Sequence, residues 1–174
     1  MTQYKGRIDL RVEGNKFNLS HVKAGGTMPG FLLFKATWLL SEDQEKHWVV
    51  SGDMAEDWKE VYIEFIAGGT GRVRLEFRGC YFDDLDTNHH EVWLDDVSLE
   101  GGDLINGSFE ETDADGGVAG WSGITAVNRG DVKARTGARC VLVWHDEPAV
   151  QSISVAAGKR YKVSAYFQPN IIKY

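Results

Sequence analysis

Glu76 and Arg78 are two residues apart in the run RVRLEFRG, whose alternate positions are Val73, Leu75 and Phe77. Successive strand side chains point to opposite faces, so the two charges share a face with Arg72 and Arg74. Charges on an inner sheet face need a reason, and a polar binding groove is one. An ordinary solvated sheet face is the other reading of the same pattern. Aromatic rings suit sugars, whose C–H faces are apolar while their hydroxyls are polar. Trp144 and His145, followed by Asp146, are the leading candidates for a sugar platform, with Tyr166, Arg11 and Tyr81 as further contributors. If Trp144 belongs to the core, the groove is to be sought around Trp38, Trp48 and Tyr81.

Hydrolytic chemistry needs a different arrangement. Retaining glycosidases place two carboxyls about 5–5.5 Å apart and inverting ones about 6.5–9.5 Å. Glu91 and Asp95 would share a strand face but stand about 13 Å apart at about 3.3 Å per residue. The chain holds no E-x-D-x-E, G-x-S-x-G or H-E-x-x-H run. His89 and His90 are adjacent and diverge in a strand; in a loop they could bind a transition metal or simply face water. The sequence therefore predicts binding rather than catalysis.

Strand-like alternation must position these residues. GRIDLRVE, VYIEFIA, RVRLEFRG, VWLDDVSLE, RCVLVWHD, AVQSISVAAG and RYKVSAYFQ all read as strands. Turn signals fall at Gly25-Gly26, Gly68-Gly69, Gly101-Gly102, Gly116-Gly117 and Ala157-Gly158. Ser51 to Lys59 has room for a helical turn, and no longer segment keeps a 3.6-residue period. About nine to eleven short strands predict an all-β antiparallel sandwich of jelly-roll type.

The 174 residues suit one domain, and the six Trp and twenty Gly suit a β-sandwich with short turns. A net charge of −7 argues against nucleic acid, which needs a concentrated positive stripe, and fits a divalent-cation site. No apolar run is long enough to cross a bilayer. MTQYKGRIDLRV lacks the apolar stretch of a signal peptide, so a secretion signal would lie outside these residues. Cys80 and Cys140 are too few for a disulfide framework and read as buried thiols or one bridge.

The stretch from Glu91 to Glu111 joins VWLDDVSLE to LINGSFEE. The first resembles the closing strand, and the second the opening strand, of a carbohydrate-binding module of the family 4, 9, 16 and 22 type, a galactose-binding-domain-like jelly roll. Gly120-Trp121, the Thr136-Gly137-Ala138-Arg139 turn, VAAGKRYKVSAYF, Gly6 to Val12, Asp57-Trp58-Lys59-Glu60 to Phe65, and Trp93 to Leu99 match its remaining motifs. The order is permuted: residues 103–174 precede residues 1–100 in the family's sense. Gly101-Gly102 is the only boundary, and neither piece alone has a full strand set. The arrangement reads as one permuted module or as facing halves of two tandem modules. One module over residues 1–174 with neighbouring termini is the expectation.

The resemblance implies a structural Ca²⁺ where first and last strands meet. It carries the ligands onto Glu110 and Asp95, with Asp96 the adjacent possibility, and onto carbonyls near Ser108, Thr136 and Arg139. Calcium takes six to eight hard oxygens, so carboxylates and carbonyls suit it. Asp95 and Asp96 cannot both reach one site by side chains without a twist or bulge. Trp121 and Trp58 match core positions, and Trp93 reads as packing.

Together these readings predict a non-catalytic, extracellular module. It would bind a polysaccharide or oligosaccharide and hold an attached catalytic domain near substrate, with no nucleic acid or membrane partner. A structural or protein-interaction sandwich without sugar binding is the rival, and a lyase or hydrolase with an unrecognised site a third.

Overall fold

The computed structural model describes residues 3–13, 19–26, 45–53, 58–79, 92–124, 126–128, 133–143 and 147–169. Among the described residues the chain is all-β, with no helix. Its strands are β1 (Gln3–Glu13), β2 (Leu19–Gly26), β3 (Glu45–Asp53), β4 (Lys59–Ala67), β5 (Gly71–Gly79), β6 (Val92–Glu100), β7 (Ala126–Val127), β8 (Val141–Val143), β9 (Ala149–Val155) and β10 (Arg160–Pro169). They form two antiparallel sheets, one ordered β3-β1-β5-β9 and the other β2-β4-β10-β6-β8-β7.

Alternation explains which side chains meet. Val73, Leu75 and Phe77 of β5 enter one core cluster with Ala149, Ile153 and Val155 of β9. The same cluster takes Phe65 from β4, Val92 and Leu94 from β6, and Tyr161, Val163 and Phe167 from β10. Each such Val, Leu, Ile or Phe side chain contributes about 1.5–3 kcal/mol on burial. Apolar residues of both sheets, and of both sides of Gly101-Gly102, therefore share one core. Strand pairing also crosses the connector: β6 pairs with β8 and β10, and β5 with β9.

The opening motif LINGSFEE is a folded corner rather than a strand. Asn106 accepts the Glu111 N–H at 3.0 Å, and its Nδ2 donates to the carbonyls of Glu111 and Ala119. The Trp121 indole donates to the carbonyls of Ile105 and Asn106. Gln151, an inward polar residue of β9, donates to the Ile105 and Gly120 carbonyls and accepts the Ile105 N–H. Gly107 is pressed against β6: a β-carbon there would lie 1.8 Å from the Val97 carbonyl oxygen. The Gly107 carbonyl accepts the Val97 N–H at 2.8 Å.

Two expectations of local structure change. Gly25 and Gly26 end β2 instead of forming a turn, because β2 pairs with β4 as far as Gly26 opposite Val61. Ser51 to Asp53 extend β3 through pairing with β1, so no helical turn begins there. Residues 54–57 and the chain ends lie outside the described residues. Trp121 and Trp93 are buried, and Trp58 packs partly buried against Trp93, Cys140 and Leu142. Cys140 is a buried free thiol, while Cys80 lies outside the described residues.

Candidate functional site

β6 does not run straight through its two aspartates. The register with β10 passes from Ser164↔Ser98 to Tyr166↔Asp95, so Asp96 and Val97 oppose Ala165 alone. Asp96 takes φ +47°, the left-handed conformation of a bulge. The bulge lets both acids reach the same loop. Asp95 accepts the N–H groups of Arg135 at 2.8 Å and Thr136 at 3.3 Å, and that of Asp96 at 2.7 Å. Asp96 accepts the Arg135 guanidinium at 2.6 Å and the Thr136 hydroxyl at 2.5 Å.

The far end of that loop is held by the other acid of the motif pair. Glu110 Oε1 accepts the N–H groups of Ala138 at 2.9 Å and Arg139 at 2.8 Å. Gly137 immediately precedes them with φ +60°, and a β-carbon there would lie 2.4 Å from the same Oε1. Asn128 braces the other side, its side chain donating to the Ala138 carbonyl and accepting the Cys140 N–H. The sequence TGAR therefore folds as a loop wrapped on carboxylates.

The electrostatics of this cluster follow from burial. Asp95 is fully buried, and burial pushes its carboxyl up to about 6. The amide donors pull the other way, and the Asp96 charge adds to the rise. The Cys140 thiol is pushed up to about 12, by burial first and then by the charges of Asp95 and Glu110. Both carboxylates thus act on one buried thiol. The Arg135 charge goes to Asp96 and to the ring of Tyr166, 3.4 Å from its centroid.

Asp95, Asp96 and Glu110 bring carboxylate oxygens to this cluster, and those oxygens accept the loop's N–H groups, the Thr136 hydroxyl and the Arg135 guanidinium. Among the described residues no three His, Cys, Asp or Glu side chains are grouped so as to hold a metal. An ion at this place would draw on carboxylates and main-chain carbonyls together. Ser108 and Asp96 also line an open pocket of about 410 Å³ with Ser98, Leu99, Asp103 and Leu104.

The second candidate is the side of β5 turned away from the core. Arg72, Arg74 and Glu76 alternate there with Val73, Leu75 and Phe77. Glu76 is only 3% exposed, although it faces away from the core cluster. Arg74 Nη2 lies 3.0 Å from Glu76 Oε2, while Arg74 Nε is buried without a hydrogen-bond partner. Arg72 donates to the Ser152 carbonyl of β9 at 3.4 Å. Glu76 is enclosed on this face, while Arg74 is partly exposed and Arg72 exposed.

The expected sugar-site residues do not all meet. Tyr166 lies on β10 in the six-stranded sheet and Glu76 on β5 in the four-stranded sheet, so they do not share a surface. One face of Tyr166 is covered by Arg135. Arg11 stands in register opposite Arg74, and Arg78 opposite Arg7. Trp144, His145, Asp146 and Tyr81 lie outside the described residues, as do Trp38, His89 and His90; Trp48 has a register position in β3, opposite Ile8 of β1. Asp95 and Asp96 meet Thr136 through its N–H and hydroxyl, and Glu110 meets Arg139 through its N–H, where main-chain carbonyls were expected. Arg72, Arg74, Arg135 and Asn128 are additions; the period that singles out Glu76 and Arg78 already contains the first two.

Comparison with known protein families, curated proteins and solved structures finds no match.

Proposed function

We propose that this chain is a non-catalytic carbohydrate-binding module with a jelly-roll sandwich fold, and that it binds polysaccharide on the outer face of β5. One observation carries the reading. Glu76 is buried on the side of the sheet away from the core and paired with Arg74. A solvated sheet face leaves such a carboxylate in water; an enclosed carboxylate–guanidinium pair offers fixed acceptors and donors for sugar hydroxyls. The module would act by holding an attached enzyme near its polymer, raising effective concentration without chemistry of its own. An extracellular setting suits that role.

The core and strand pairing across Gly101-Gly102 support one module in permuted order. We further propose Ca²⁺ as a structural ion at Asp95 and Glu110, with Asp96 and the carbonyls of Ser108, Thr136 and Arg139 as the remaining oxygens. The ion would offset the charge of the buried Asp95 carboxylate and fasten the 133–140 loop to β6.

The test is a glycan array probed with the whole chain, with and without EDTA. Binding to at least one polysaccharide is expected, with catalysis absent from the same incubations. No binding to any glycan, from a chain that melts cooperatively, would leave a structural or protein-interaction role.

A further inference from the structure

The charges of the four-stranded sheet are arranged unevenly. In the β1–β5 register Arg7 stands opposite Arg78, Asp9 opposite Glu76, Arg11 opposite Arg74 and Glu13 opposite Arg72. Three of these four pairs are like-charged, and like charges directly opposite destabilise a sheet. Glu45 of β3 stands opposite Arg11, and His47 opposite Asp9. Asp9, Glu13 and Glu45 therefore hold register positions on the β1–β3 side of β5. On the other side, β9 places Val150, Ser152 and Ser154 opposite Glu76, Arg74 and Arg72. The β5–β9 seam thus has two arginine positions, Arg72 and Arg74, and one carboxylate, Glu76. That carboxylate pairs with Arg74, whose buried Nε has no hydrogen-bond partner among the described residues. Arg72 is exposed, and among the described residues it donates to the Ser152 carbonyl over 3.4 Å. All this occurs on a chain of net charge −7.

We infer that the β5–β9 seam takes an anionic polysaccharide, one whose repeated carboxylate or sulfate groups pair with Arg72 and Arg74. The inference rests on the polysaccharide reading above and narrows it to a substrate class. Guanidinium groups match planar carboxylates and sulfate oxygens with paired hydrogen bonds, which neutral hydroxyls do not reproduce. A repeating oxyanion supplies counter-charge on the β9 side, where the residues opposite Arg74 and Arg72 are the serines Ser152 and Ser154. The general negative charge elsewhere on the chain would discourage binding away from the seam.

The experiment is affinity gel electrophoresis of the whole chain. Polygalacturonate supplies carboxylates, a sulfated galactan supplies sulfates, and xylan and mixed-linkage β-glucan are neutral. A single-stranded oligonucleotide is the phosphate control. Retardation is expected from the carboxylated or the sulfated polymer, and which one responds identifies the oxyanion. It should weaken about tenfold or more between about 50 mM and about 500 mM NaCl, as charge pairs are screened. Arg72→Gln should weaken it severalfold with an unchanged melting temperature, and Arg72→Lys less so. If Arg72→Gln does not fold, the salt dependence and the polymer preference still decide. Equal, salt-insensitive retardation by a neutral polymer overturns the anionic inference and leaves polysaccharide binding standing. No retardation by any polymer overturns both. Oligonucleotide binding as tight as that of the polysaccharide overturns sugar recognition at the seam.

Discussion

A β-carbon on Gly137 would stand 2.4 Å from Oε1 of Glu110, the oxygen that accepts the Ala138 and Arg139 amides. The close approach ties two motifs distant in sequence, NGSFE and TGAR, into one structure. Gly137→Ala should therefore do more than strain a left-handed residue. It should push Glu110 off its two donors, at a combined cost of about 2–3 kcal/mol. Thermal unfolding checks this. A variant within about 0.5 kcal/mol of the parent would mean the loop is held elsewhere.

Chelation should reveal the proposed ion. An ion that binds only the folded chain stabilises it in proportion to ln(1 + [L]/Kd). EDTA should lower the melting temperature, and Glu110→Ala should remove most of the difference between chelated and calcium-loaded protein. Identical melting with and without EDTA would assign the loop's closure to the amide donors alone.

The pH dependence of the chelated protein has a definite sign. Burial raises the Asp95 carboxyl from 3.8 to about 6. A raised folded-state value means the folded chain holds this proton more tightly than the unfolded chain. The associated stability is fully present below the unfolded value and is lost as pH rises through about 6. In EDTA, acidification from about pH 7 to about pH 5 should stabilise the parent relative to Asp95→Asn. Parallel melting curves for the two across that window would contradict it.

Glu76→Ala tests the enclosed pair on β5. Removing one partner leaves the Arg74 guanidinium without its carboxylate, in a face that is only partly open to water. The cost should be about 1–3 kcal/mol, discounted because Arg74 keeps some solvent contact. Glycan binding should fall with it. Unchanged stability would make Glu76 a solvated bystander.

The strands with strict alternation were legible in the sequence: RVRLEF and RYKVSAYF fall on β5 and β10 with the expected apolar residues in the core. β2, β3 and β7 were not singled out; in β2 the closing KAGG ends in residues that ordinarily mark turns, and β7 is only two residues long. The bulge at Asp96 was legible only as a condition for both aspartates to meet one site, since LDDV reads as plain alternation. The partner of Tyr166 was not legible at all. Arg135 reaches it from a loop thirty-one residues away, and side-chain spacing along β10 holds no trace of that. The separation of Tyr166 from Glu76 has the same origin, because sheet membership depends on pairing rather than on local pattern.

The most direct test of the polysaccharide reading is equilibrium binding of the whole chain to a panel of soluble neutral and anionic polysaccharides by titration calorimetry. The account predicts saturable binding to at least one polymer, weakened about tenfold by Arg72→Gln plus Glu76→Gln in a variant that still melts cooperatively. Saturable binding unaffected by both substitutions would place the sugar elsewhere on the molecule, and no heat from any polymer would contradict the account.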